Sequence, residues 1–354
     1  MNLFWKSLSP KLIYNRAKSV NSYLKKDKNC GGYPIELIVE PTNICNMKCV
    51  MCPTGTGEVV RQKGYMEMSL FKKIIDQSKD YVETVCLFLA GEPLLHPELT
   101  DMIQYCRDQG VSTAVHTNGS YLDESLAEKF LISPPDILSI SFDGFTKEIF
   151  EKIRVRGNFD EIQENVYNFI KLKCNQDSKL PYFIMQLIKM NQNETDINSF
   201  FSKWKIKGVD NIRIKPLFEN PSYKTAKKSW LPGPEKKAIE PCPLLWRQFT
   251  VHWDGTVVLC CQDFLPEVEI GNTKDSSILE LGNSEKMQEI RSLHIDGNSD
   301  EISLCKRCAI PQTNILFLAG SILTHNTVIK SRVFPFLENL WLIKKLKWLG
   351  YFVE

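Results

Sequence analysis

The sequence lacks any apolar run of the roughly 18–20 residues that a membrane-spanning helix needs. Its opening, Met1–Pro10, carries Trp5 and Lys6 but no apolar stretch followed by small residues, so it does not read as a secretory signal. Internal repeats and low-complexity tracts are absent. Charge of one sign is scarce: 44 Lys and Arg stand against 42 Asp and Glu, a net +2. Cysteine is sparse as well, 12 in 354 residues, which excludes a small domain stapled by disulfides. What is present is a 43% hydrophobic content, enough to bury a core and to exclude a disordered chain. The length allows one large domain, or a large and a small one.

The near-neutral total hides a pattern. Residues 1–29 hold seven basic side chains and one acid, and residues 330–354 hold five basic and two acidic. The body between is weakly acidic, which does not suit nucleic acid, and no nucleic-acid partner is expected. The cysteines are clustered too. Cys45, Cys49 and Cys52 form one group; Cys242, Cys260, Cys261, Cys305 and Cys308 form another; Cys30, Cys86, Cys106 and Cys174 are scattered. Short spacings without an export signal favour metal ligation over disulfides.

Along the chain, apolar strand patterns at 35–39, 85–89, 111–117, 137–142, 182–190 and 209–215 alternate with helical patterns at 69–79, 99–108, 124–130, 159–173 and 197–207. Ser69 is the expected N-cap of the first of these helices and Gly110 the stop of the second. This rhythm predicts a parallel α/β sheet or barrel over residues 35–215, with ligands at the carboxyl ends of the strands. The Pro- and Lys-rich stretch 216–241 reads as a linker. After it, Phe249–Trp253 and Thr256–Leu259 around Asp254-Gly255 predict a hairpin.

Cys45-x3-Cys49-x2-Cys52 follows directly on the first strand. Three thiolates from one tight loop can hold three corners of a [4Fe–4S] cube and leave the fourth iron open for a ligand. Zinc is the alternative, although closed structural zinc sites use four ligands. On this motif the chain resembles the radical SAM superfamily. Met51 stands where that family usually has an aromatic residue, and its thioether can pack on an adenine. The resemblance extends along the strand ends. Ala90-Gly91-Glu92-Pro93 is similar to the family's Gly-Gly-Glu segment, with Glu92 suited to the ammonium of S-adenosylmethionine. Asn118, Ser141 and Asp143, in Thr117-Asn118-Gly119 and Ser141-Phe142-Asp143-Gly144, resemble the ribose contacts. Arg154 resembles the contact to the methionine carboxylate, with Arg156 competing for that role, and Gln186 is expected to face the same cofactor.

Cys242, Cys260, Cys305 and Cys308, with Gly255-x4-Cys260, resemble the SPASM/twitch extension, and four thiolates imply one auxiliary [4Fe–4S] cluster. Cys260 and Cys261 compete for one corner; neighbours on a strand face opposite ways, and the spacing selects Cys260. A four-cysteine zinc ribbon is the alternative.

The resemblance implies an α/β fold: a partial (β/α)6 TIM-like barrel with a small C-terminal auxiliary-cluster domain of β-hairpin plus helix. The expected divisions are a basic segment 1–34, the barrel 35–215, the linker 216–241, the auxiliary domain 242–315 and a basic aromatic extension 316–354. The implied activity is reductive cleavage of S-adenosylmethionine to a 5′-deoxyadenosyl radical, then hydrogen abstraction from a substrate C–H. Of the relatives' chemistries, oxidation of a small-molecule or carbohydrate-like alcohol is preferred, with the auxiliary cluster as electron acceptor. The alternatives are a peptide or protein maturase, a redox-neutral epimerase, or, in another class, a non-catalytic zinc-binding interaction module. The expected partners are a small-molecule or glycan substrate and an electron donor such as a flavodoxin or ferredoxin. A cytoplasmic location is expected. The aromatic, lysine-rich ends (Leu3-Phe4-Trp5 with Lys6, and 334–352) read first as a solvated helical cap and second as a peripheral membrane contact at the inner face.

Overall fold

The computed structural model describes residues 9–217, 241–306 and Cys308. The expected linker and both aromatic basic ends lie almost wholly outside these residues.

Six parallel strands make the barrel wall: β1 (Glu36–Val39), β3 (Thr84–Leu87), β4 (Ser112–Thr117), β5 (Ile137–Ser141), β7 (Tyr182–Lys189) and β8 (Asn211–Pro216). They lie in that spatial order and in register, each joined to the next through a helix. Side chains alternate across the wall, as strand geometry requires. Leu37, Val39, Val85, Leu87, Val115, Leu138, Ile140, Phe183, Met185 and Leu187 point outward into the helix layer. Ile38, Cys86, Ala114, Ile137 and Ile184 point inward and pack with Phe88 and Tyr182.

The helices form where the periodicity places them. Asp123 caps Glu124–Ile132 through the Leu126 amide, 2.9 Å away, and Asn158 caps Phe159–Asn175. The first barrel helix runs Met68–Ser78 behind Glu67, so Ser69 lies inside it and is not its cap. A further helix, Lys147–Ile153, precedes the two-residue strand β6 (Arg154–Val155), which pairs antiparallel with β2 (Lys48–Cys49).

The expected hairpin exists as β9 (Gln248–Val251) and β10 (Thr256–Val258), turning at Gly255, whose φ of 92° is open to glycine. It does not stand apart. β9 pairs in parallel with β1, Glu36 opposite Gln248 and Val39 opposite Val251. With β11 (Glu269–Asn272) beyond β10, a single nine-stranded sheet runs from the C-terminal part to the far edge of the barrel. The helices Ile278–Gly282, with a Ser277–Glu280 capping box, and Glu285–Ile295 close this part.

The segment before β1 ties both parts together. Helix Pro10–Leu24 buries Arg16 against Glu83 just before β3. Trp246 Nε1 donates to the Asp27 carbonyl at 3.0 Å, and Arg291 Nη1 to that of Lys28 at 2.9 Å. Among the described residues no helix is long and apolar enough to cross a membrane.

Candidate cluster and cofactor site

The loop leaving β1 carries Cys45, Cys49 and Cys52. It is folded on itself by its own polar groups. Thr42 Oγ1 donates to the Gly64 carbonyl at 2.7 Å, Asn43 Nδ2 to that of Gln62 at 2.8 Å, and Arg61 pairs with Glu40 at 2.6 Å. The Cys52 amide turns back onto the Cys49 carbonyl, 3.1 Å. All twelve cysteines of the chain are free thiols.

The β2–β6 pair sets Cys49 directly opposite Arg154. Arg154 Nη1 stands 3.8 Å from Cys49 Sγ, and Nη2 donates to Asp143 Oδ2 at 2.5 Å. Arg154 is 5% exposed, and its Nε lacks a partner. Burial works against this charge, but Asp143 and Cys49 outweigh it and hold the guanidinium above its ordinary range. Arg156, the competing choice, is exposed and has a left-handed φ of 71°. Burial pushes the Cys45 thiol up to about 11 and that of Cys49 up to about 12, with Arg154 pulling both back. Cys49 feels both other thiols of the loop, and Cys45 feels that of Cys52. Free, these two are neutral thiols at pH 7; iron ligation requires their thiolates and so releases protons.

Glu92 sits beside them, 3% exposed. It accepts from Thr117 Oγ1 at 2.5 Å, the Asn118 amide at 2.8 Å and the Leu94 amide at 3.0 Å. Burial raises its carboxyl against those donors. A carboxylate has about four acceptor positions, so one remains for a ligand ammonium. Gly91 is fixed by contact: a Cβ there would lie 2.2 Å from the Thr42 carbonyl oxygen. Asn118 Nδ2 donates to Asn46 Oδ1 at 3.0 Å, and Asn46 to Ser120 Oγ at 2.9 Å. Ser141 ends β5 level with Gln186, whose Oε1 is buried without a partner. Met51 packs with Ile153, Met190 and Leu217. Asp143, expected at a ribose, is fully buried, with one oxygen on Arg154 and the other accepting from the Ile188 amide at 2.7 Å. It therefore braces Arg154.

Sequence reasoning passed over Asn46 and Thr117. Thr117 was legible as the residue flanking Asn118; Asn46, between two cysteines, left no signal. The donor chemistry fits an iron–sulfur cube with a ligand beside it: three neighbouring thiols, a buried cation with an orphaned N–H, and a buried carboxylate.

The second thiol group lies at the other end of the barrel. Cys242, Cys260, Cys305 and Cys308 are near one another: Cys260 senses Cys242 and Cys305, and Cys242 senses Cys308. Burial is the main cause that pushes Cys242 up to about 12 and Cys260 well above its ordinary value. Both Cys260 and Cys261 lie past the end of β10, in a bend and the turn that follows it. Cys260 packs with the outer core, while Cys261 packs with the inward-facing cluster of Ile38 and Cys86. Cys261 also senses Cys308, and Glu36 at the amino end of β1. The two thiol groups thus lie toward opposite ends of β1, and of the second group Cys261 packs on the lumen side.

A family model described as the Radical SAM superfamily matches residues 39–197, and one described as an iron–sulfur cluster-binding domain, SPASM, matches residues 242–309. The Fe-coproporphyrin III synthase of Methanosarcina barkeri is 28% identical over 165 residues, covering 45% of this chain and 40% of that protein. The mycofactocin maturase MftC of Mycobacterium tuberculosis is 30% identical over 127 residues, covering 36% and 32%. The chain thus spans well under half the length of these curated relatives. Among solved structures, Streptococcus suis SuiB bound to S-adenosylmethionine aligns with a TM-score of 0.64 at 15% identity, covering 83% of this chain and 76% of that one. BtrN in complex with AdoMet and 2-DOIA aligns at 0.54 and 16%, covering 79% and 95%. These structures share the fold. The two domains imply a [4Fe–4S] cluster with S-adenosylmethionine in the first and auxiliary iron–sulfur clusters in the second.

Proposed function

The chain belongs to the radical SAM superfamily and carries its SPASM iron–sulfur domain, and from that premise we propose that it oxidises a small polar alcohol held in the barrel lumen. The observation that carries this reading is the placement of the second thiol group: Cys261 packs against the lumen wall while sensing Cys308 and Cys260. An alcohol becomes a carbonyl only if a proton and an electron leave after the hydrogen atom. A thiol group opening on the lumen offers a seat for the electron acceptor there.

When bound, the first cluster and S-adenosylmethionine supply one-electron cleavage of a carbon–sulfur bond and abstraction of a substrate hydrogen. Cys45, Cys49 and Cys52 are the proposed holders of that cluster. Glu92 meets the ammonium of S-adenosylmethionine, Arg154 its carboxylate, and Asn118 and Ser141 its ribose. Gly91 keeps the backbone close, Met51 lies against the adenine, and Gln186 faces the cofactor from β7. Asp143 positions Arg154. Cys242, Cys260, Cys305 and Cys308 are the proposed ligands of one auxiliary cluster. An external one-electron donor, such as a flavodoxin or ferredoxin, starts each turnover.

The test is anaerobic. Protein reduced with dithionite should release 5′-deoxyadenosine from S-adenosylmethionine, and Cys49→Ala should abolish the release. Deuterium passing from a candidate alcohol into 5′-deoxyadenosine, with the carbonyl formed, supports the reading; 5′-deoxyadenosine labelled only from peptides would overturn it. Peptide modification is the second reading, favoured by the maturase among the relatives.

A further inference from the structure

We infer that the substrate carries an oxyanion, a carboxylate or phosphate, seated between Arg213 and Lys215 of β8 and the polar lumen wall at Ser139. This rests on the reading of the lumen as the substrate site. Ile212 and Ile214 pack into the outer core, so the alternate residues Arg213 and Lys215 face inward. Gln186 stands beside Arg213 in the register, and Ile188 beside Lys215.

Both cations act electrostatically on His116 of β4. His116, on β4 and level with Ser139, has its imidazole pushed down to about 3, first by burial and then by Lys215 and Arg213, with Glu36 opposing. The ring lies 4.5 Å from that of Phe88 and is neutral at pH 7, leaving one N–H to donate.

The wall around them has unused hydrogen-bonding capacity. Ser139 Oγ and Thr250 Oγ1 are fully buried without partners. Buried polar atoms in native proteins are nearly always satisfied, and leaving one unpaired costs about 1–3 kcal/mol. A ligand in the lumen would satisfy them.

The charges of the lumen are polarised along its axis. Glu36, at the amino end, accepts from Gln248 Nε2 at 2.6 Å and pairs with Arg247 at 3.3 Å. Its negative charge is thereby balanced at that end. Arg213 and Lys215 lie toward the other end. Both also interact with the chain itself, so an incoming anion competes for them. Two half-buried cations can hold an oxyanion by charge-assisted bonds, which are about twice as strong as neutral ones.

The experiment is isothermal titration of the oxygen-free holoprotein with inorganic phosphate and, separately, with acetate. One saturable site per chain is expected for one of them. Phosphate binding assigns a phosphorylated substrate and acetate binding a carboxylate. Arg213→Gln and Lys215→Gln should each weaken that binding about tenfold, a change of ~1.4 kcal/mol, at unchanged melting temperature. The surface variant Lys179→Gln should leave it unchanged. Absence of saturable binding by either anion, or binding indifferent to both lumen variants, would overturn the inference. So would a parallel loss of affinity for S-adenosylmethionine, which would give the two cations to the cofactor. Failure of 5′-deoxyadenosine release in the wild-type protein would instead defeat the radical reading and leave the anion site standing.

Discussion

Replacing Asp143 by asparagine removes one charge from a pair that has no access to water. The Asp143 side chain is fully buried and that of Arg154 is 6% exposed. An asparagine keeps the shape but has a single acceptor oxygen. It can serve Arg154 Nη2 or the Ile188 amide, and its NH2 then faces the other donor. Arg154 is left as a buried cation beside the Cys49 sulfur, 3.8 Å away, with Glu92 and Cys52 the other groups that act on its charge. Breaking a buried ion pair from one side costs about 3–5 kcal/mol. That loss should be visible in urea unfolding of the oxygen-free protein, followed by tryptophan fluorescence and circular dichroism. The double variant Asp143→Asn, Arg154→Met removes the stranded charge and should recover at least half of the loss. A single-variant loss under about 1 kcal/mol, the range of exposed pairs, would refute the reasoning. So would a double variant as unstable as the sum of both singles.

Gly91→Ala would put a methyl group 2.2 Å from the Thr42 carbonyl oxygen and 2.7 Å from that of Ile44. The cysteine loop must then move; release of 5′-deoxyadenosine should fall at least tenfold, with a melting temperature lowered by only a few degrees. Cys305→Ala should still release 5′-deoxyadenosine but form no oxidised product, as read by mass spectrometry of the reaction. For His116 the folded value lies below the unfolded one, so its contribution to stability is complete above about 6.5 and is lost as pH falls toward about 3. His116→Gln should therefore flatten the acid side of the stability curve across that window, as measured by urea midpoints at successive pH values.

The six barrel strands and most of the helices between them were legible because their apolar periods are clean, and because Gly110 marks a helix end. Ser69 misled as an N-cap since the helix starts a residue earlier, behind Glu67. Helix Pro10–Leu24 was invisible for a physical reason. The side it buries is polar (Asn15, Arg16, Ser19 and Ser22), held by Glu83 and the Tyr33 backbone and not by an apolar stripe. The candidate cysteines were legible from their spacing, and Glu92 from the resemblance of its segment to the family's. The choice between Arg154 and Arg156 was not, because it depends on a two-residue strand pairing and a left-handed residue that no pattern announces. Arg213 and Lys215 read as ordinary polar alternation; only the curvature that brings β8 within reach of His116 on β4 gives them a shared target.

The pairing of β9 with β1 carries a consequence for anyone who would cut or graft this protein. A truncation before residue 248 would not detach a module; it would strip β1 of its neighbour along Glu36–Val39 and expose a raw sheet edge prone to self-association. A chimera that imports another enzyme's C-terminal half must carry its own strand to that edge, in register, or inherit a barrel that is open along its seam.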